Sequence, residues 1–315
     1  MKTVIKILID LLRNMKNKLF FDKTIFFLED VISMKRSSLF IFISMSLCNG
    51  FSQQVIPLHN NLGMEPCNAS VYISSIRYIP LETNDKCLLN EEGLSIIATA
   101  QFFFIHDFKA DIVYRFDART GKFINTIGKK GQGPGEYKRL FGIYVDDTDK
   151  KCFLLDTYTN SIFEYTYDGE FQKKISGLQT PSDMERIGNN YVVNNDRYIE
   201  TKQELFLINR EGKLLRNSTL LDKSLFGFTV YQPFFFKSND VCYYKNYLSD
   251  NIYRVDESLK KQVVWTIDCG TKKINPKDKQ YDLRKGVLTK DKINISSIKG
   301  YRKFLFIIYG YSEKL

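Results

Sequence analysis

Phe104-Ile105-His106-Asp107, a turn, and Asp111-Ile112-Val113-Tyr114-Arg115-Phe116 align at an offset of 49 with Phe153-Leu154-Leu155-Asp156 and Asn160-Ser161-Ile162-Phe163-Glu164-Tyr165. The correspondence continues at an offset of 48, where Gly121-Lys122-Phe123 and Ile127 meet Gly169-Glu170-Phe171 and Ile175. Leu205-Phe206-Leu207-Ile208 with Glu211-Gly212-Lys213 repeats the pattern 43 residues on, and Asp250-Asn251-Ile252-Tyr253-Arg254-Val255 repeats it 47 residues later. Each unit holds short runs of Phe, Tyr, Ile and Val bounded by Asp, Asn, Gly and Lys, a pattern for strands joined by polar hairpin turns. In the second unit the spacing predicts strands at 141–145, 152–155, 161–166 and 171–175. A β-sandwich also spaces its strands evenly but need not repeat every fourth one. The period therefore predicts an all-β fold, a β-propeller of four-stranded blades.

Composition agrees with a large packed core. The chain has 315 residues, 43% hydrophobic and 26% charged, with 18 Gly and 7 Pro, which excludes a disordered or fibrous chain. The net charge of +10 invites a nucleic-acid reading until its position is considered. Residues 1–52 carry eight Lys/Arg and four Asp/Glu, residues 271–315 carry twelve and four, and the body between them carries 26 and 28. A body near neutrality has no electrostatic footprint for a phosphate backbone, so no nucleic-acid partner is expected.

The amino-terminal region points to export. Met34-Lys35-Arg36 precedes the apolar run from Leu39 to Leu47, which ends at Cys48-Asn49-Gly50-Phe51-Ser52. A basic start, a run too short to span a bilayer and a small-residue exit describe a secretory signal peptide over 34–52, cleaved after Ser52. A lipid anchor at Cys48 is the second form of export, disfavoured because Leu47 precedes it. Residues 1–33 then read as a leader or a mis-assigned start, 53–70 as a linker, and 71–315 as the propeller. Once the signal is removed, no transmembrane span is expected, and the destination is the periplasm or the outer membrane.

Cysteines stand at 48, 67, 87, 152, 242 and 269, without a C-x-x-C or a Cys/His cluster of zinc-ligand spacing, so neither metal nor cofactor is expected. Cys67 and Cys87 are the one pair considered for a disulfide, which spacing alone cannot establish. Asp146-Asp147-Thr148-Asp149 lacks the Gly and distal Glu of a calcium loop and reads as a solvated turn. Two histidines, His59 and His106, are too few for a three-histidine metal site. His106 reads as structural.

Between the first two units lies Ile127-Gly128-Lys129-Lys130-Gly131-Gln132-Gly133-Pro134-Gly135-Glu136-Tyr137. It lacks the G-K-[S/T] ending and following helix of a phosphate loop, so Gly131, Gly133 and Gly135 are read as structural, permitting a crossing between blades. Asp107 and Asp156 recur at the same place, and an aspartate at a strand end most often accepts backbone N–H groups of the next turn; both are read as structural staples.

This glycine loop and Tyr137, with Gly142-Ile143-Tyr144-Val145-Asp146, Phe153-Leu154-Leu155-Asp156 and Ser161-Ile162-Phe163-Glu164-Tyr165, resemble the NHL repeat. Together with Tyr78-Ile79-Pro80-Leu81-Glu82-Thr83, they resemble the exported six-bladed β-propeller family of anaerobic Gram-negative bacteria. The resemblance implies a six-bladed fold and a cell-envelope address, not a reaction. Six blades of about 45 residues exceed the 245 residues of 71–315, so an incomplete propeller of about four and a half blades is expected, with residues 71–83 as an edge strand.

No catalytic residue is nominated. Tyr158, Arg197 and Tyr198 stand in loops and are the binding candidates, aromatic and cationic groups of the sort that hold sugars or peptides. The first functional reading is a binding or scaffold module for a glycan, a peptide or an envelope protein. A propeller hydrolase or lyase acting on an extracellular polymer is the second, and a non-functional truncated fragment the third.

Overall fold

In the computed structural model of the chain, the residues described are 4–8, 26–27, 38–44, 54–61, 77–91, 93–195, 203–219, 234–246, 249–273, 292–301 and 304–311. Among them the regular structure is β-strand, with 3-10 turns at Leu58–Asn61 and Gly270–Lys272 and no α-helix. No described helix is long and apolar enough to cross a membrane. The chain divides into two compact units, Met1–Lys35 with Pro66–Ser176 and Arg36–Glu65 with Gly177–Leu315.

The first strands along the chain are β1 (Val4–Leu8), β2 (Phe26–Phe27), β3 (Ser38–Ser44), β4 (Gln54–Pro57) and β5 (Arg77–Pro80). Two four-stranded antiparallel sheets follow in the first unit. One is β6 (Leu94–Ala98), β7 (Phe102–Asp107), β8 (Ile112–Asp117) and β9 (Phe123–Ile127); the other is β10 (Leu140–Asp146), β11 (Lys151–Asp156), β12 (Ser161–Thr166) and β13 (Phe171–Ile175). Each strand pairs with its neighbour in sequence. The third sheet of this unit has the order β2-β1-β5, with β5 at its edge and Pro80 opposite Val4.

Burial on both faces explains the sequence of the middle strands. Alternate residues of a strand face opposite sides of its sheet. In β7, Phe103 and Ile105 pack with Ile79, Leu81 and Tyr114, whereas Phe104 packs with Leu140, Leu154 and Tyr165 of the neighbouring sheet. An unbroken apolar run is what a strand covered on both sides requires. The last strand of a sheet has less to cover, and β13 accordingly reads Phe-Gln-Lys-Lys-Ile with its first two residues exposed.

The second unit continues the plan with β14 (Pro181–Ile187), β15 (Asn190–Asn195), β16 (Gln203–Ile208) and β17 (Leu214–Thr219) in one antiparallel sheet. Next come β18 (Phe234–Ser238), β19 (Val241–Lys245), β20 (Asn251–Val255) and β21 (Lys261–Asp268), then β22 (Ile293–Tyr301) and β23 (Phe304–Tyr311). These are the blades of a β-propeller. The sheet β18–β21 gains a fifth strand because β4 runs parallel to β21, Gln54 opposite Trp265 and Pro57 opposite Asp268. Part of the segment expected to be a linker is therefore a strand. The cause is local: Ile56 and Leu58 are buried beside Ile252, Trp265 and Ile267, and the Trp265 indole N–H donates to Gln54 Oε1 at 3.2 Å. Ser38–Ser44, inside the segment read as a signal peptide, forms β3 and lies antiparallel to β23 in the order β22-β23-β3.

A buried ion pair joins the first two sheets of this unit. Glu204 of β16 pairs with Lys261 of β21, each side chain only 4% exposed. The Tyr244 hydroxyl donates to Glu204 Oε1 at 3.0 Å, and Asn246 Nδ2 donates to the same oxygen at 3.3 Å. Removing one partner of such a pair leaves a charge in a dry site. Lys261→Met is therefore expected to lower stability by about 3–5 kcal/mol, and Lys261→Met with Glu204→Gln by less than the single change, measured by chemical denaturation.

Candidate functional site

Asp156 sits at the end of β11 and is fully buried. Its Oδ1 accepts the N–H groups of Tyr158 at 2.9 Å and Thr159 at 3.0 Å, and its Oδ2 accepts that of Lys138 at 2.7 Å. One carboxylate thus fixes both the turn after its strand and the segment leading into β10. Asp107 does the same one sheet earlier, accepting N–H from Lys109 and Ala110 on Oδ1 and from Asn90 on Oδ2.

The Asp156 staple mounts a small surface feature. Tyr158 is 70% exposed, and the Lys138 ammonium stands 5.3 Å from the centre of its ring. Both residues are anchored through their backbones to the same carboxylate, so the aromatic face and the cation are presented together rather than on independent loops. Arg197 and Tyr198, the other binding candidates, lie outside the described residues.

The glycine loop folds around its own carboxylate. Glu136 Oε2 accepts the Gly133 N–H at 2.8 Å, its Oε1 meets Lys129 Nζ at 3.0 Å, and these contacts hold its carboxyl below the usual range. The Gly131 N–H donates to the Tyr137 carbonyl at 2.9 Å. Gly135 has φ +74°, and a Cβ there would come within 2.6 Å of the Phe171 ring, so the position needs glycine on both counts. The Tyr137 side chain is buried and its hydroxyl donates to the Asp111 carbonyl at 2.9 Å. These donors are directed at protein groups.

Other sequence candidates take structural places. Asp146 Oδ1 accepts the N–H groups of Thr148 and Asp149, and Asp147 pairs with Lys150 at 2.6 Å, which makes this stretch a turn. Cys87 is a buried free thiol donating to the Glu82 carbonyl at 3.4 Å, while Cys67 lies outside the described residues. His106 is buried as expected of a structural histidine, yet neither ring nitrogen has a hydrogen-bond partner among the described residues, and Nε2 stands 3.9 Å from Asp111 Oδ1.

A second cluster has no counterpart in the sequence reading. Asp183 and Glu185 lie two apart on β14 and so share a face. Lys237 of β18 reaches Glu185 Oε1 at 3.4 Å. The Phe235 N–H of β18 donates to Asp183 Oδ2 at 3.1 Å, and the Met184 N–H donates to Oδ1 at 2.9 Å. Burial pushes the Asp183 carboxyl up to about 7, against the Phe235 amide and Lys299 of β22, with Glu185 adding to the rise. Two carboxyls and the Lys237 ammonium therefore gather where the first strands of two successive sheets adjoin. The available signal was the stretch Ser182-Asp183-Met184-Glu185, with Asp183 and Glu185 partly exposed on either side of the buried Met184.

The comparisons place this fold among known proteins. Residues 53–315 match the model of the domain of unknown function DUF4934. The chain belongs to the DUF4934 family. Among solved structures, this DUF4934 chain is similar to BF0058 of Bacteroides fragilis, described as an exported protein, with 20% identity over 60% of this chain and 54% of that one and a TM-score of 0.51. It is also similar to virginiamycin B lyase of Staphylococcus aureus (16% identity, 54% and 55% covered, TM-score 0.41) and to a DUF4221 member of Bacteroides vulgatus (8%, 60% and 61%, 0.40). The chain spans little more than half the length of BF0058 and of the lyase. The likeness to BF0058 shows the fold. No curated protein matches the sequence.

The staple makes its own prediction. Asp156→Ala strands three N–H donors and should cost about 2–4 kcal/mol by thermal or urea unfolding. Asp156→Asn should cost markedly less, since an amide oxygen keeps an acceptor and the next sheets end their second strands in Asn195 and, one residue past β19, Asn246.

Proposed function

We propose that this DUF4934 chain is an exported cell-envelope propeller that binds a glycan, a peptide or a partner protein through a loop surface built around Tyr158. The observation that carries the reading is an aromatic ring 70% exposed, with the Lys138 ammonium 5.3 Å from its centre. An exposed aromatic face ordinarily costs solubility unless something covers it, and sugar rings and peptide side chains both stack on such faces. The buried Asp156 fixes the platform in advance, which lowers the conformational entropy lost on binding. Export is supported by the basic, apolar and small-residue pattern of 34–52 and by the description of the similar BF0058 as exported.

Tyr158→Ala is expected to weaken binding at least about tenfold in a glycan array or peptide library while leaving the melting midpoint unchanged. Equal binding by the variant to every ligand recognised by the parent chain would remove Tyr158 from the site. For export, mass spectrometry of envelope fractions should find a mature chain beginning near Gln53. Recovery of a chain retaining residues 34–52 from the cytoplasm would overturn the address.

A further inference from the structure

We propose that the outer edge of β23 is a docking site for an extended apolar segment of a partner protein, which joins the sheet β22-β23 as a further strand. The inference rests on the export reading, because it concerns the chain once residues 34–52 have been removed. In the full chain β23 has two neighbours, β22 on one side and β3 on the other. β3 is Ser38–Ser44, the apolar run of the segment read as a signal peptide. It pairs antiparallel with β23 over seven residues, from Ser44 opposite Phe304 to Ser38 opposite Gly310. Removal of that segment takes β3 away and leaves this edge of β23 bare, whereas three other sheets of the chain hold four strands each.

The backbone calls for an occupant first. Every N–H and C=O that β23 turned toward β3 loses its partner, and a bare edge is a template for another strand. The strand that carries the edge is held independently of β3, since Leu305, Ile307 and Tyr309 are buried in one cluster with Trp265 and Ile267 of β21. Little of the acceptor therefore needs ordering when a partner arrives. The register says what that partner must be. Leu39, Ile41 and Ile43 stand opposite Tyr309, Ile307 and Leu305, and Phe40 and Phe42 opposite Ile308 and Phe306. Five successive pairs thus join two apolar residues, and cross-strand pairs of this kind are what stabilise a sheet. An unbroken apolar run without proline meets both requirements, main-chain pairing supplying affinity and alternate side chains specificity. A second copy of β23 is a poor occupant. Antiparallel pairing of two copies about a two-fold axis would bring the sheet β18–β21 of each to the same face of the joined sheet, the face that Leu305, Ile307 and Tyr309 already bury.

The probe is a dye-labelled peptide of residues 38–44 with lysines added at both ends for solubility, followed by fluorescence anisotropy. It should bind the processed chain recovered from envelope fractions, and bind the full chain at least about tenfold more weakly, because β3 competes there at high effective concentration. In the full chain Ile41→Pro, opposite Ile307, should open the edge and raise affinity for the peptide at least about tenfold. The same substitution made in the peptide should weaken its binding by a similar factor. Register places the contact: under mild oxidation, Ile308→Cys in the processed chain should form a disulfide with a peptide carrying Phe40→Cys and not with one carrying Ile41→Cys. The proposal is overturned if the peptide fails to bind either the processed chain or the full chain with Ile41→Pro, or if that variant and its parent bind it equally. A processed chain that is dimeric and refuses the peptide overturns it as well, giving the edge to a second copy. Peptide binding by the Ile41→Pro chain, with only uncleaved protein recovered from cells, would support the docking edge and overturn the export reading alone.

Discussion

The arrangement rests on a buried carboxylate at the end of the second strand of a sheet. A hairpin turn and the segment leading into a first strand both carry backbone N–H groups that no ladder satisfies, and leaving them dry costs about as much as a lost hydrogen bond each. Asp156 answers three of these donors at once, from Lys138, Tyr158 and Thr159. The same lead-in is tied to the preceding sheet, because the Leu140 N–H donates to Asp111 Oδ1 at 2.9 Å and the Tyr137 hydroxyl to the Asp111 carbonyl. Asp111 itself sits in the turn after β7 at φ 60°, a conformation open to few residues besides Gly, Asn and Asp. One lead-in thus reads the positions of two turns, and the spacing of adjacent sheets in the first unit follows from it.

Apolar packing then fills the space that these polar ties define. Phe104, Leu154, Phe163 and Tyr165 come from two sheets and form one buried cluster, with the Tyr165 hydroxyl donating to the Gly135 carbonyl at 2.5 Å. Large side chains with a polar end suit such positions, since the ring fills volume between sheets while the hydroxyl finds a loop carbonyl. In the second unit Tyr244 plays a related part, its ring against Phe235 at 5.1 Å and its hydroxyl on Asn194 and Glu204. Several of the 19 Tyr and 25 Phe, with Phe104, Tyr137, Phe163 and Tyr165 among them, are buried in such clusters.

How much of this was legible depends on whether a residue's role is local. The strands from 140 to 175 could be read to within a residue of their bounds because their middle members are covered on both faces and their turns are marked by Asp, Asn and Gly. The strand β4 could not. Gln54–Pro57 is too short to show a period, and its pairing with β21 spans more than two hundred positions, a contact that no local pattern announces. The acid–base cluster escaped for a similar reason. Asp183 and Lys237 are separated by over fifty residues, and each alone looks like an ordinary charge on a strand. His106 shows the converse, a residue whose place was readable and whose ring nitrogens proved to lack partners among the described residues.

The polarity of the first strands has a structural origin that precedes any ligand. β14 and β18 each have a hydrogen-bonded neighbour on one side only, so their other edge presents N–H and C=O groups that a fully apolar surround would leave unsatisfied. At β18 the Phe235 N–H solves this by donating to the Asp183 carboxyl of the adjoining sheet. A carboxyl placed there is drawn partly out of water, and burial raises its affinity for a proton until only neighbouring cations and amide donors restrain it. The edge that must be satisfied for the sheets to adjoin therefore also carries a carboxyl, Asp183, that changes charge near neutrality.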